Sequence, residues 1–179
     1  MNLFSSLRIR SLRIIAPNAY LLRRVWQALA LIRKTDRREY QKLFPRLKVI
    51  FLTNRAGYTN EFFMPEKIWF ANKFVIIKND ISWIASLIIH EAFHATQFKQ
   101  GRYIRPLAEL ESPALNVQNK FLNKIRDKHG VDDVKAVARK RYWTTMNKDK
   151  KSSEHFRKLL QRLQNKELKI KALRPSRLR

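Results

Sequence analysis

The chain has 179 residues, the size of one domain or of one compact domain with appended helices. Hydrophobic residues make up 45% of it, which is enough for a core and excludes a globally disordered protein. The absence of cysteine excludes disulfides and thiolate metal sites, so any metal must be bound by histidine and carboxylate. With 39 basic and 14 acidic residues, the net charge is +25 at pH 7.

The first 45 residues form a basic segment that we predict to be helical. Apolar residues recur at helical spacing between residues 21 and 32, with arginines elsewhere on the helix surface. Asp36 can cap a short following helix that ends before Pro45. The N-terminal arginines lie inside the apolar stretch rather than before it, which is not the pattern of a Sec signal peptide.

Residues 46–78 contain the one β region that the sequence predicts. The segment RLKVIFLT is rich in β-branched and aromatic residues and predicts a strand. The segments EFFMPEKIWF and NKFVIIK predict one or two further short strands, with Pro65 and Asn72 as breaks.

A helix over residues 80–100 follows, capped by Asp80 or Ser82 and ended by Gly101. Its longest apolar run, near residues 81–89, is too short to span a bilayer. Ser112 followed by Pro113 predicts the start of the next helix, which continues to about residue 129.

Two more helices are predicted to begin at Asp132 and Ser153, and residues 174–179 to form a flexible tail. The fold class is therefore α+β: mostly helical, with a small β-sheet before the helix at 80–100 and additional C-terminal helices. We expect a single domain of residues 1–179 with a core at about 46–130 and basic C-terminal helices at 131–173.

The helix at 80–100 contains the segment HEAFH. Residues four apart share a helix face, so His90 and His94 can bind one metal ion. Glu91, one position along, can take a proton from a water that zinc has made acidic, to a pKa of roughly 7, and can pass it to a leaving amine. Two core histidines with a paired glutamate are the alternative interpretation.

This segment resembles the zincin metallopeptidases. The resemblance covers residues 46–130 and implies a zincin-like domain in which the HExxH helix packs against a small sheet and the next helix supplies a third zinc ligand. It implies one Zn²⁺ and peptide hydrolysis. The flanks match no family that we can name, and the metzincin extension with a third histidine is absent.

The gluzincin branch of that superfamily has a glutamate as third ligand, and here Glu111 and Glu109 are the two candidates. Extending the following helix backward places Glu111 on its inward face, whereas Glu109 turns outward, so we prefer Glu111. Glu111, Ala114 and Gln118 also form an E-x-x-A-x-x-x-Q pattern that is similar to several small zincin families. Pro113 departs from a regular ligand helix.

Peptide hydrolysis also needs a donor for the oxyanion. Tyr103 is the first candidate, with Arg102, Arg105 and His129 behind it. Gln97, one turn past His94, can contact that ligand, and an exposed helical glutamine is an equal alternative. In zincins the substrate backbone normally pairs with an edge strand of the sheet, and the predicted FVIIK strand or the stretch at 67–70 can serve. From the chain pattern alone, the alternative that these strands are ordinary core is favoured.

The charge is concentrated in the two flanks. Residues 1–60 carry 13 basic and 2 acidic side chains and residues 120–179 carry 20 and 6, whereas residues 61–119 carry 6 of each. Such flanks predict contact with nucleic acid, an anionic membrane surface or an acidic protein, although solvated helix faces give the same pattern.

The leading hypothesis is a zinc metallopeptidase directed to a polyanion by its basic flanks, as in SprT-like DNA-associated proteases, or acting as a toxin or effector. It would be cytoplasmic, or exported by a non-Sec route in the second case. The alternative is a non-catalytic nucleic-acid-binding protein with a structural or vestigial HExxH helix.

Overall fold

The structure, a computed structural model, describes residues 5–53, 61–63, 67–100 and 107–140. The chain forms two compact units, Met1–Thr144 and Thr145–Arg179, and all described residues belong to the first. The helix predicted from Ser153 and the tail at 174–179 lie outside the described residues.

The described residues begin with a β-hairpin at Ser5 rather than with a helix. Strand β1 (Ser5–Ile9) pairs antiparallel with β2 (Leu12–Ala16), and Arg10 in the turn between them has a positive φ of 53°. Burial alternates along β2, with Leu12, Ile14 and Ala16 inside. This period of two is that of a strand with one face in the core. The prediction of a helical segment over residues 1–45 is therefore wrong for residues 5–16.

A five-stranded mixed sheet is built around this hairpin in the order β1-β2-β3-β5-β4. The remaining strands are β3 (Val49–Thr53), β4 (Glu61–Phe63) and β5 (Ile68–Asn72). Strand β3 pairs parallel with β2 and with β5, whereas β4 pairs antiparallel with β5. The β region predicted from residue 46 is confirmed for these three strands, and β4 forms one edge of the sheet.

Six helices complete the described residues, and the predicted α+β class is confirmed. They are α1 (Ala19–Thr35), α2 (Arg37–Arg46), α3 (Lys73–Lys78), α4 (Ile81–Lys99), α5 (Leu107–Lys124) and α6 (Lys128–Lys140).

Four of these helices differ from the prediction. Helix α2 continues through Pro45 to Arg46 instead of ending before Pro45, and helix α6 begins at Lys128 rather than at Asp132. Helices α3 and α5 are the other two.

Helix α3 occupies most of the predicted NKFVIIK strand, because the Asn72 side chain accepts a hydrogen bond from the Phe74 amide at 2.9 Å and so begins a helix there. Helix α5 begins at Leu107 rather than at Ser112 and contains Pro113. The proline removes one hydrogen bond, to the carbonyl four residues earlier, which lies near the helix start.

The hydrophobic core joins the sheet to the helices. It contains buried residues of β2, β3 and β5, among them Ile14, Ile50 and Trp69, together with residues of α1, α2 and α4. The N-terminal 45 residues thus share one core with the segment that carries the HEAFH motif. A smaller cluster, which includes Leu122 and Val134, lies between α5 and α6.

Asp36 connects three helices. It lies between α1 and α2, and its carboxylate accepts hydrogen bonds from the Glu39 amide at 2.8 Å and from the Lys124 ammonium of α5 at 2.8 Å. Burial by itself would raise the pKa of the Asp36 carboxyl, but the Lys124 and Glu39 hydrogen bonds outweigh burial and lower this pKa.

We expect Asp36→Ala to lower the free energy of unfolding by about 1–2 kcal/mol, because both the cap of α2 and the contact with α5 are lost. Asp36→Asn retains a capping oxygen and should cost less than about 1 kcal/mol. Urea unfolding at pH 7 measures both values.

The pH dependence provides the control. Since the folded pKa of Asp36 lies below the unfolded value of 3.8, its contribution is complete above that value and disappears as the pH falls through the folded pKa. The difference between wild type and Asp36→Asn should therefore shrink at acidic pH. A difference that is constant with pH would contradict the proposed role of the ionised carboxylate.

Candidate metal centre

Helix α4 places the two motif histidines in the interior. The segment from Ile84 to Ala92 is buried throughout, and within it His90 is only 3% exposed. His94 is one turn further along, so the two imidazole rings lie on the same side of α4 with their centroids 5.0 Å apart. A largely buried and mostly apolar helix thus presents two imidazole nitrogens in one direction.

Helix α5 packs along α4 and brings a carboxylate to these rings. Glu111 is buried, on the same face as Ala114 and Gln118, whereas Glu109 is exposed. Among the described residues, His90, His94 and Glu111 form the one group of three ligand side chains close enough to hold a metal ion. The structure therefore brings Glu111, and not Glu109, to the histidines.

The separations between the facing atoms fit a metal ion. The two Nε2 atoms are 3.3 Å apart, and the Glu111 carboxylate straddles them, with Oε2 at 3.3 Å from His90 and Oε1 at 3.5 Å from His94. A tetrahedral ion with bonds of about 2.0–2.1 Å holds its ligand atoms about 3.3–3.4 Å apart. A buried group with these separations can bind a metal ion.

A purely hydrogen-bonded cluster fits these distances less well. Hydrogen bonds from nitrogen to oxygen are normally about 2.7–3.2 Å long, with most near 2.9 Å. The two nitrogen–oxygen separations, 3.3 Å and 3.5 Å, exceed that range, although His90 and Glu111 are buried where a shorter contact would be favoured. The arrangement leaves room for an ion at the centre.

Gln97 holds His94 in the orientation that metal binding needs. Its Nε2 donates to the Leu110 carbonyl of α5 at 2.7 Å, which directs its Oε1 to Nδ1 of His94 at 2.7 Å. Since this oxygen can only accept, the neutral His94 ring carries its hydrogen on Nδ1 and has a lone pair on Nε2. The predicted contact between Gln97 and His94 is confirmed, and it also ties α4 to α5.

His90 is oriented less firmly. Gln118 of α5 lies beside it, is 2% exposed and donates to the Ser86 hydroxyl of α4 at 3.1 Å. No hydrogen bond of good geometry from the described residues reaches the buried Nδ1 of His90. The two histidines therefore differ in how strongly their surroundings fix them.

The electrostatics of the two rings also differ. Burial by itself would lower the pKa of His90, but hydrogen bonding to Glu111 and the charges of Glu91 and Glu111 outweigh it and raise this pKa. For His94, burial and then the neighbouring His90 lower the pKa. Without a metal ion, His90 therefore binds a proton first, and a metal must compete with that proton.

Access to the group is graded. The exposed fraction of the side chain rises from 3% at His90 to 10% at Glu111 and 17% at His94, so the group opens to solvent on the His94 side. Glu91 is 5% exposed, and its charge acts on His90. A carboxylate therefore lies next to the ligand group, within the protein interior.

The predicted oxyanion donors are not among these residues. Tyr103, Arg102 and Arg105 lie outside the described residues. His129 lies on α6 with its side chain 89% exposed and pairs with Asp133 at 3.0 Å, so it belongs to the surface of that helix.

Neither predicted segment is an edge strand, and for residues 68–70 the alternative of a core strand is confirmed. The FVIIK segment lies in helix α3, and residues 68–70 belong to β5, which lies between β3 and β4. The strand at this edge is β4, whose register places Phe62 opposite Trp69. The sequence predicts β4 as a strand. It does not predict that β4 is an edge strand, because that position depends on the pairing of β4 with β5.

No protein-family model, curated protein or solved structure matches this chain. In the part of the chain that the structure describes, no helix has both the length and the apolar character needed to cross a membrane.

We expect Gln97→Met to weaken zinc binding about 10- to 100-fold, because the apolar side chain fills a similar volume but cannot accept the hydrogen bond from His94. A competition titration between the metal-free protein and a chromogenic chelator measures the affinity. Gln100→Met is the matched control, since Gln100 is exposed at the end of α4. Equal affinities for wild type and Gln97→Met would contradict the orienting role.

Proposed function

We propose that the protein is a zinc-dependent metallopeptidase whose metal is held by His90, His94 and Glu111 and whose general base is Glu91. The observation that carries this proposal is the approach of the two histidine Nε2 atoms and the two Glu111 carboxylate oxygens, whose facing atoms are 3.3–3.5 Å apart. A second, buried carboxylate, that of Glu91, lies next to His90 in sequence and close enough to act on its pKa.

The donor set supports zinc as the metal. Two imidazole nitrogens and one carboxylate are ligands that zinc accepts in tetrahedral sites, and magnesium and calcium prefer sites made of oxygen alone. Because the chain has no cysteine, copper or iron sites that use thiolate ligands are excluded.

Three protein ligands support a catalytic rather than a structural role. Structural zinc sites are normally closed by four protein ligands, whereas catalytic sites keep one position for water or substrate. Among the described residues the group has three members, and it opens to solvent at His94.

In the proposed reaction, His90, His94 and Glu111 would hold the zinc ion, which would supply Lewis acidity. Glu91 removes a proton from the attacking water and later delivers it to the nitrogen of the departing amine. Gln97 keeps the Nε2 lone pair of His94 directed at the ligand group. We propose Tyr103 as the donor to the oxyanion, in the segment between α4 and α5.

The basic flanks support the further proposal that the peptidase acts where a polyanion holds it, in the cytoplasm or, as an effector, after export. A non-catalytic nucleic-acid-binding protein is the alternative, favoured by the net charge of +25 alone. The zinc content of the protein and the effect of replacing Glu91 on peptide hydrolysis distinguish these two functions.

We expect purified wild type to contain about one zinc ion per chain and His90→Ala and Glu111→Gln to lose most of it, because each removes one of three ligands. Glu91→Gln should retain the ion, since Glu91 is not a ligand in this proposal. Elemental analysis by mass spectrometry measures the content.

Two variants serve as matched controls for metal content. Glu109→Gln makes the same change as Glu111→Gln two residues earlier, and His129→Ala removes a histidine from the exposed face of α6. Both should keep the wild-type zinc content. Full zinc in His90→Ala would eliminate the site.

Peptide hydrolysis should fall about a hundred-fold or more in Glu91→Gln, because the amide cannot accept the proton. A mass-spectrometric screen of cleavage products from a mixed peptide library, with and without a chelator, measures this for any cleavage preference. Wild-type activity in zinc-loaded Glu91→Gln would contradict the role of Glu91 as the general base. Cleavage by neither protein, with zinc bound to both, would favour the non-catalytic alternative.

A further inference from the structure

The exposed large hydrophobic side chains of the described residues all belong to two helices. Tyr20 and Trp26 of α1 are 54% and 51% exposed, and Phe74 and Ile77 of α3 are 41% and 43% exposed. Helices α1 and α3 are in contact with each other. Exposed hydrophobic side chains mark an interaction site where they belong to one contiguous patch, so the contacts between the two helices decide the question.

Arg24 joins the two helices into one surface. From α1 it donates to the carbonyl of Ile76 at 2.7 Å and to the carbonyl of Asn79, at the end of α3. Its guanidinium group also lies 5.8 Å from the centre of the Tyr20 ring. Tyr20 is therefore next to α3, and the relative position of α1 and α3 is fixed by these contacts.

The same surface is strongly basic. Helix α1 buries Leu21, Val25 and Ala28, so Trp26, Arg23 and Tyr20 follow one another around its opposite side at about 100° per residue. Helices α1 and α3 carry no acidic residue, and their basic residues are Arg23, Arg24, Arg33, Lys34, Lys73 and Lys78. We define the α1–α3 surface as the solvent-facing side chains of these two helices, which include Tyr20, Arg23, Trp26, Phe74 and Ile77.

We infer that the α1–α3 surface docks the protein on a membrane that contains anionic lipids. Tyr and Trp favour the membrane–water interface, where the ring is apolar on one side and hydrated on the other. Long basic side chains place their charge at the lipid phosphates while their stems cover apolar surface. Docking is peripheral, since only side chains at the surface enter the interface.

The apolar pair on α3 favours lipid over nucleic acid. Phe74 and Ile77 are three residues apart and therefore project from one side of the helix, with Lys73 and Lys78 beside them. Single-stranded nucleic acid is bound by aromatic stacking and by basic grooves, in which an aliphatic side chain has no stacking partner. Acyl chains accept phenylalanine and isoleucine alike.

The test uses the full chain with vesicles of phosphatidylcholine alone or with phosphatidylglycerol added. We expect sedimentation of wild type with the mixed vesicles only. Replacing both apolar residues, Phe74→Ser with Ile77→Ser, should weaken this partitioning about tenfold. At about 0.5 M salt, where charges are screened within roughly 4 Å, the difference between wild type and this double variant should persist.

Charge reversal tests the location of the contact. Arg23→Glu should weaken partitioning about tenfold, whereas Lys120→Glu, an equal change at an exposed position of α5, should alter it by less than about twofold. Circular dichroism checks that each variant is folded. Equal losses in Arg23→Glu and Lys120→Glu, or wild-type partitioning of the double variant, would overturn the inference.

A parallel titration with duplex DNA and single-stranded RNA separates the other class of partner. Nucleic-acid binding that falls with the Phe74 and Ile77 replacements, while vesicle partitioning stays unchanged, would assign the surface to nucleic acid and overturn the lipid assignment. Nucleic-acid binding that is insensitive to those replacements supports a contact elsewhere in the basic chain.

Discussion

The packing of α5 against α4 governs the rest of the site, because it buries a carboxylate opposite two imidazoles. An ionised carboxylate in an apolar interface is costly unless charge or hydrogen bonds compensate it. For Glu111, His90 and His94 provide such compensation across the two helices. Small buried residues on both helices, such as Ala92 and Ala114, are compatible with a close approach of their backbones.

The orienting groups around the candidate centre are neutral. Gln97 contacts His94, and Gln118 lies beside His90, so amides occupy positions where metal sites often have carboxylates. With one carboxylate among the three ligands, a divalent ion would leave a net positive charge in the group. Such a charge favours the ionised form of the neighbouring Glu91, as a proton acceptor requires.

The helices of the site follow from local pattern, and for that reason the sequence predicted them well. The apolar run before His90 and the spacing of four between the histidines depend only on helix geometry. The inward position of Glu111 follows from the same geometry on α5. Sequence reasoning succeeded for α4, for β3 and for the general course of α1.

The features that failed depend on distant partners. The alternation in β2 is five residues long, and its strand structure depends on β3, which pairs Ile14 with Ile50. The β-branched residues of α3 favour a strand locally, but the Asn72 cap and the burial of Ile76 against the core stabilise a helix. Contacts between elements, such as that of Gln97 with Leu110, leave no trace in a single sequence.

The hairpin at the start of the chain makes the HEAFH segment inseparable from the residues before it. Strand β2 covers one edge of β3, and its buried side chains complete the core under α4. A fragment limited to residues 46–130 would leave β3 with an unpaired edge and an apolar face open to water, which is a template for aggregation. The smallest autonomously folding unit of this protein is thus larger than its two ligand-bearing helices suggest.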